Sequence, residues 1–379
     1  MNVMASPTRP GIELTVGANT RRSPFFDAAV RDGLTKATVY NHMVIPVSYG
    51  DPAAEYDRLI NGVSMWDVGC ERQVQIEGPD AMRLAQYLTG RNLAGLKVGQ
   101  GRYVPICDYD GWMINDPVLL PIAEDRFWLS IADSDIWLWA DAVAHEKGFD
   151  VQVSEPDASP LAVQGPKAID VVAGMFGDRV RALKYFAFFE TEFDGIPLIV
   201  ARSGWSKQGG YEIYLRDGSR GTELWDAVKA AGQPYGIGPG APGAPERVES
   251  GLISYGSDMR HQTMRANPYE MGLGKFVDLD AGHDFIGRAA LMRIRDEGAT
   301  RRRTGVSIAG EPVFPGHAVP LLQGDARIGY VSTFARSPRL GRVIGVGLVA
   351  AGIGNDAQDL AVLVGGERHG ATLSDLPFL

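Results

Sequence analysis

The chain has 379 residues, enough for two or three domains at roughly 100–200 residues each. Hydrophobic residues make up 45% and charged residues 22%, the mix of a globular protein with a substantial core. The formal net charge of −9 repels phosphate backbones overall, so nucleic-acid binding is not expected.

The two cysteines, Cys70 and Cys107, read as buried thiols in a reducing cytosol rather than as a disulfide framework. Met1 to Arg22 carries no signal-peptide run, and no stretch approaches the ~20 apolar residues of a membrane helix. A cytoplasmic location is the expectation.

Residues 1–23 are polar and patternless and read as a mobile arm. A short helix is predicted over Ala53–Asn61, with Tyr56, Leu59 and Ile60 on one side. Gln73–Gly78 alternates as a half-buried strand does, and Pro79–Leu88 reads as a helix. Arg102–Cys107 and Pro117–Pro121 look like strands either side of a turn at Asp108–Gly111. Phe127–Ile131 is a predicted strand and Asp133–His145 a predicted helix. Leu161–Pro166 reads as a strand entering a turn, and Lys167–Phe176 as the helix after it. Ile196–Ala201 and Tyr211–Leu215 are predicted strands around a glycine-rich bend.

Strands and helices mix without the alternation of a doubly wound sheet, so the first 290 residues read as α+β. Gly232–Pro245, rich in Gly and Pro, reads as a connector; no strand leads into a glycine fingerprint there. After Arg301 short strands are predicted at Gly305–Ile308, Ala326–Ser332, Val343–Val349 and Asp359–Val364. Their spacing suggests a small separate β-barrel or sandwich.

Much chemistry lacks a signature. His42, His145, His261, His283, His317 and His369 are not spaced as metal ligands, so no metal is expected. There is no G-x-S-x-G elbow and no P-loop.

Arg202–Leu215 is the informative segment. Alternation puts Glu212 and Tyr214 on one strand face, with Tyr211, Ile213 and Leu215 on the other, apolar one. A carboxylate and a phenol beside a bend carrying Trp205 suit a flat heterocycle with adjacent N–H donors, such as a pterin. An ordinary solvated strand face fits the same spacing.

Arg202-Ser203-Gly204-Trp205-Ser206 followed by Gly210-Tyr211-Glu212-Ile213 resembles the folate-binding hairpin of the glycine-cleavage T-protein (aminomethyltransferase) family. Leu161-Ala162-Val163-Gln164-Gly165-Pro166 resembles its A-L-Q-G-P segment. Arg247-Val248-Glu249-Ser250-Gly251-Leu252 resembles its R-x-E-x-G-L helix, and Tyr255-Gly256-Ser257-Asp258 follows as in the family. Asp284-Phe285-Ile286-Gly287-Arg288 resembles its link to the last domain, and Ala371-Thr372-Leu373 with Pro377-Phe378 its ending. The resemblance runs from about residue 35 to the C-terminus.

It implies a three-lobed α+β fold with a C-terminal β-barrel. The first lobe would take residues 24–64 and 157–245, the second 65–156 and 246–290, the third 291–379. It also implies tetrahydrofolate as the acceptor of a one-carbon group, held by Trp205, Glu212 and Tyr214.

Within that family, Tyr40-Asn41-His42-Met43, Trp66-Asp67-Val68, Glu71-Arg72-Gln73-Val74, Asn115-Asp116-Pro117-Val118-Leu119 and Ser254-Tyr255-Gly256-Ser257-Asp258-Met259 are similar to the dimethylsulfoniopropionate demethylase branch. That branch transfers a methyl group from a sulfonium to tetrahydrofolate. One departure from the T-protein pattern agrees with it. T-proteins carry two aspartates after Gly-Gly and two hydrophobic residues, and the first is their key acid. This chain reads Gly111-Trp112-Met113-Ile114-Asn115-Asp116, and an amide cannot serve as a carboxylate.

Positions that match the branch's substrate pocket are Tyr40, Trp66, Tyr103, Trp128 and Ser130, and aromatic faces suit a sulfonium cation. Trp66 and Trp128 also read as plain core residues. Arg247 and Lys207 are candidates for a carboxylate of substrate or folate, or for surface ion pairs. Tyr103 and Asn115 are the catalytic candidates, in a reaction that chiefly needs in-line positioning. The expected partners are a small methyl donor and tetrahydrofolate, compatible with a homodimer. Two other readings share the fold: a demethylase of an N-methyl amine or methoxy-aromatic acid, and a non-catalytic folate-binding protein. The latter's relatives resemble K-x-C-[FY]-x-G-Q-E near the last domain; here Lys275-Phe276-Val277 carries no cysteine.

Overall fold

The computed structural model describes residues 16–379. Its first layer is a six-stranded sheet in the order Phe188–Phe193, Ile196–Ala201, Gly210–Leu215, Ser159–Gln164, Ser64–Asp67 and Gly238–Gly240. Successive residues point to opposite faces, so each strand divides its side chains between two environments. Leu161, Val163, Tyr211, Ile213 and Leu215 point one way, into a core closed by Val171, Val172, Leu224 and Trp225 from helices Ala168–Phe176 and Gly221–Gly232.

The opposite face carries candidate residues singled out in the sequence. Ala201 pairs with Glu212, Glu212 with Ala162, Ala162 with Trp66, and Trp66 with Gly240. One row across five strands thus carries both Glu212 and Trp66.

A second sheet has the order Gln152–Ser154, Gln73–Glu77, Arg126–Ser130, Val118–Ala123 and Arg102–Tyr103. Val74, Ile76, Phe127 and Leu129 face helices Ala81–Leu88 and Ile136–Lys147. Its other face carries Leu120, Ile122 and Trp128, which pack directly on Ile199, Ala201 and Tyr214 of the first sheet. Burying aromatics of this size contributes several kcal/mol, at ~25 cal/mol per Å².

The C-terminal part is a closed six-stranded barrel in the order Arg301–Ile308, Arg342–Ala350, Ala326–Ser337, Val319–Gln323, Leu360–Val364 and Glu367–Ser374. Closure removes the exposed strand edges that a sandwich would leave. Three buried carboxylates join it to the rest. Asp258 accepts from Arg247 (2.7 and 3.2 Å) and from Ser332 of the barrel (2.7 Å). Glu249 accepts from Tyr56 (2.8 Å) and from Ser337 and Arg339 of the barrel (2.5 Å each). Glu270 pairs with Arg301 at 2.7 Å.

Several sequence expectations need correction. Arg102–Cys107 is two short strands, Arg102–Tyr103 and Ile106–Cys107, because Pro105 removes a ladder donor between them. Gly232–Pro245 is more than a connector, since Gly238–Gly240 adds a parallel edge strand to the first sheet. The barrel strands Val319–Gln323 and Glu367–Ser374 and the helix Arg288–Glu297 were not anticipated. Helix Asp133–His145 starts three residues later, at Ile136, and ends where Gly148 takes a left-handed conformation.

Residues 1–15 of the expected mobile arm lie outside the described residues. Residues 16–23 do not behave as an arm: Arg21 bridges to Met43 and pairs with Glu155 at 2.7 Å, and buried Ser23 donates to Asp67 at 2.5 Å. Cys70 and Cys107 are both buried and unpaired.

Candidate functional site

Gln164 braces the hairpin between Ile196–Ala201 and Gly210–Leu215 with three hydrogen bonds. Its amide donates to the carbonyls of Ser203 (3.2 Å) and Tyr211 (3.3 Å), and its oxygen accepts from Ser206 (2.7 Å). Gly204 is needed there: its φ is +144°, and a Cβ would lie 2.1 Å from the Gln164 amide.

This bend delivers Glu212 to the space between the sheets. The carboxylate is buried, and its Oε2 accepts from Ser203 Oγ (2.5 Å) and Tyr214 Oη (3.0 Å). Oε1 has no hydrogen-bond partner among the described residues. Tyr214, expected beside Glu212 on one strand face, donates to that acid. Burial raises the Glu212 pKa, against the two hydroxyl donors, which lower it.

Around Glu212 stand Trp128, whose ring is 6.4 Å from that of Tyr214, and Ser130, which accepts from Gln73 at 3.0 Å. Trp128 donates to Gln75 at 2.8 Å and Trp66 to Ser64 at 3.0 Å, so both indole N–H groups are satisfied within the protein. Trp66 and Trp128 are almost wholly buried: Trp128 packs between the two sheets, and Trp66 packs with Leu59, Val68 and Ala162. Trp205 donates to the carbonyl of Ile253 at 3.0 Å and ties the hairpin to the segment after Arg247.

A second group of residues adjoins the first. Tyr103 donates to Asp116 at 2.7 Å, and its ring meets Phe276 edge-on at 5.3 Å. Tyr40 packs with Met43, Ile45 and Cys70. Burial raises its hydroxyl pKa, and the charges of Asp116, Asp133 and Glu71 add to that. Burial raises the Glu71 pKa, and the Glu212 charge adds to that. Burial pushes Asp116 up to about 7, with Asp258 adding to the rise and the Tyr103 hydrogen bond opposing it.

Asn115 has a different role from the one expected. Its Nδ2 donates to Ala132 O (3.0 Å) and Ser134 Oγ (2.7 Å), and its Oδ1 accepts from the N–H groups of Asp116 (2.9 Å) and Ala132 (3.0 Å). All four of its hydrogen-bonding positions are in use, so it shapes the loop that aims Asp116. Arg247 likewise is buried against Asp258 and is closed to a ligand carboxylate. Lys207 lies exposed at a turn with φ of +57°.

Sequence reasoning did not single out Asp116 or Glu71, which the structure places beside the candidate residues Tyr103 and Tyr40. The signal for Asp116 was present in the Asn115-Asp116 pair, read only for what the first position lacks. A surface hollow of about 590 Å³ lined by Met82, Tyr87, Phe149 and His283 contains none of the expected residues.

Residues 26–281 match the GCVT N-terminal domain family, and residues 301–379 match the glycine cleavage T-protein C-terminal barrel domain. The chain belongs to the glycine-cleavage T-protein family. It is 44% identical over 329 residues to dimethylsulfoniopropionate demethylase DmdA of Ruegeria pomeroyi, covering 87% of this chain and 89% of that protein. The aminomethyltransferase of Halothermothrix orenii is 28% identical, covering 95% of this chain and 100% of that protein. The crystal structure of the glycine cleavage aminomethyltransferase T from Bartonella henselae superposes with a TM-score of 0.84 at 23% identity, over 95% of this chain and 98% of that one, which establishes the shared fold.

Proposed function

We propose that this enzyme moves a methyl group from a sulfonium zwitterion, dimethylsulfoniopropionate, to N5 of tetrahydrofolate. The S–CH₃ bond breaks as the N5–CH₃ bond forms. Sulfur keeps the bonding pair and leaves as the neutral thioether of methylthiopropionate. N5 gives its proton to solvent, leaving 5-methyltetrahydrofolate.

One observation carries the choice of donor. The position of the family's key acid holds Asn115, fully bound by its own loop, while Asp116 stands beside the rings of Tyr103 and Tyr40 with no cation bonded to it. A sulfonium cannot donate a hydrogen bond. Aromatic faces and a nearby carboxylate are what stabilise it, at roughly 0.5–2 kcal/mol per aromatic contact. Glu212 fits tetrahydrofolate, because a pterin presents N–H donors and Oε1 is open to accept. The protein's main contribution is to hold donor and acceptor in line at about 3–3.5 Å.

Purified enzyme with tetrahydrofolate and a panel of donors tests this. Methylthiopropionate should form from dimethylsulfoniopropionate only when tetrahydrofolate is present, and glycine-cleavage substrates should give nothing. Turnover of a methoxy-aromatic acid or an N-methyl amine without turnover of the sulfonium would replace the donor.

The Asp116 pKa of about 7 gives a pH signature. Above it the carboxylate is charged and attracts the cation; below it the attraction is lost. Donor affinity should rise by roughly tenfold from pH 6 to pH 8, given ~1.4 kcal/mol per tenfold. Stability has the opposite sign. A folded pKa above the unfolded value means the folded state holds an extra proton between about pH 4 and 7, so Asp116 costs stability as pH rises through that window. Asp116→Asn should flatten both profiles. An unchanged pH dependence of donor binding in that variant would remove Asp116 from the site.

The lobe division proposed from the sequence is supported by three separate apolar clusters, with the first crossover placed after Asp67 because Ser64–Asp67 belongs to the first sheet. No helix among the described residues is long and apolar enough to cross a membrane. We place the enzyme in the cytoplasm, acting on small molecules.

A further inference from the structure

A zwitterionic donor has two ends, and the residues around Asp116 provide only for the cationic one. Its carboxylate needs a buried or half-buried cation nearby. Arg247 cannot serve, because Asp258 and the Leu252 carbonyl take its guanidinium.

Arg303 is differently placed. It lies on barrel strand Arg301–Ile308, whose start is fixed by the Arg303 N–H bond to the carbonyl of Glu270 at 2.9 Å. Its Nη2 donates to two backbone carbonyls, Gly251 at 3.0 Å and Leu252 at 3.3 Å. Its Nε is buried with no hydrogen-bond partner among the described residues. Its strand neighbours are satisfied otherwise: Arg301 is paired with Glu270, and Arg302 donates to Ile353 and Asn355. Asp258, which feels the Arg303 charge, is already bonded by Arg247 and Ser332. Among the described residues no carboxylate is bonded to the Arg303 guanidinium, because Asp258 is taken by Arg247 and Ser332. The Arg303 charge reaches the Tyr103 hydroxyl, whose other side is bound to Asp116.

We propose that Arg303 binds the carboxylate of the methyl donor, with Tyr103 between it and Asp116. This rests on the zwitterionic donor assigned above. The donor then lies with its sulfonium toward Asp116 and its carboxylate toward the barrel. The orientation explains why the barrel is riveted to the other lobes by three buried carboxylates: a shift of the barrel would move one end of the substrate site. An unpaired arginine donor in a half-buried setting is costly unless a ligand completes it, and an anion with two oxygens suits it.

Folate also carries carboxylates, in its glutamate tail, so the test has separate arms. Calorimetry is run on wild type, Arg303→Gln and Arg303→Lys, with dimethylsulfoniopropionate and with tetrahydrofolate. Arg303→Gln is expected to weaken the sulfonium by roughly tenfold or more and leave tetrahydrofolate unchanged, with Arg303→Lys intermediate. Wild type should also prefer dimethylsulfoniopropionate to its uncharged carboxamide analogue, a comparison that needs no variant to fold. Unchanged sulfonium binding in Arg303→Gln, a loss confined to tetrahydrofolate, or equal wild-type binding of acid and carboxamide would each overturn the proposal. Absence of turnover in wild type would strike the donor's reactivity instead, and the binding comparison would still decide the role of Arg303.

Discussion

Glu212→Gln is expected to raise the tetrahydrofolate Kd by roughly 5- to 150-fold while leaving the melting temperature little changed. The range follows from leaving buried ligand donors unpaired, at roughly 1–3 kcal/mol, with ~1.4 kcal/mol per tenfold. The substitution keeps the shape of the side chain. Ser203 and Tyr214 hydroxyls now share one carboxylate oxygen, and either can turn to meet an amide instead. An amide that satisfies both hydroxyls with its oxygen must present NH₂ to the ligand's N–H groups, and donor then faces donor. The fold loses little, because burial already disfavours the charged form of Glu212. Its raised pKa also fixes a sign. Tetrahydrofolate affinity should fall as pH drops through that pKa, when the acceptor becomes protonated, and the Gln variant should lack this step. Folding stability carries the reverse sign, greatest while the acid is protonated. Glu77→Gln is a suitable control, since Glu77 lies on the second sheet and pairs with Arg126 and Gln75. Calorimetry giving wild-type affinity for Glu212→Gln would remove this hairpin from pterin recognition.

How far the sequence revealed this site depends on the range of each contact. Alternation along Gly210–Leu215 correctly separates Glu212 and Tyr214 from the core face of Tyr211, Ile213 and Leu215, because a strand's two faces are a local property. The same rule places Trp128 and Ser130 together. It could not say that Trp128 would pack on Tyr214, since that contact joins two sheets from distant parts of the chain. Arg247 shows the opposite failure. A cation in a motif invites a ligand, but its partner Asp258 lies across a turn and bonds the barrel as well. Arg303 was hidden for a related reason. Nothing in Arg301-Arg302-Arg303 distinguishes the third arginine from the first two, and only the paired strand register and its neighbours give each a separate fate. Gly238–Gly240 was read as a loop because glycine and proline are poor strand formers. Its pairing with Ser64–Trp66 is a tertiary choice that overrides propensity.

The second large effect is expected on stability. Arg247→Met should destabilise the protein by about 3–5 kcal/mol, measured by urea unfolding, because it removes one partner of an ion pair whose two side chains are 4% and 1% exposed. Burial alone would push Asp258 up; the charges of Arg247 and Arg303 and the hydrogen bonds from Arg247 and Ser332 bring it below the usual carboxylate range. With Arg247 gone, Asp258 keeps Ser332, the Ser254 N–H and the more distant Arg303. Its pKa should therefore rise. A depressed native pKa contributes stability that is present above the unfolded value near 4 and lost as pH falls through the folded one. The wild type should accordingly lose stability on acidification, and Arg247→Met should lose less. Replacing both partners, Arg247→Met with Asp258→Leu, should recover much of the loss, since no charge is then left buried alone. Because the cation and the anion of the Arg247–Asp258 pair leave together, the charge around Arg303 is conserved and donor affinity should stay close to that of the wild type. A double variant as unstable as the single one would mean that the hydrogen bonds to Ser332 and Leu252, rather than the ion pair, hold the barrel in place.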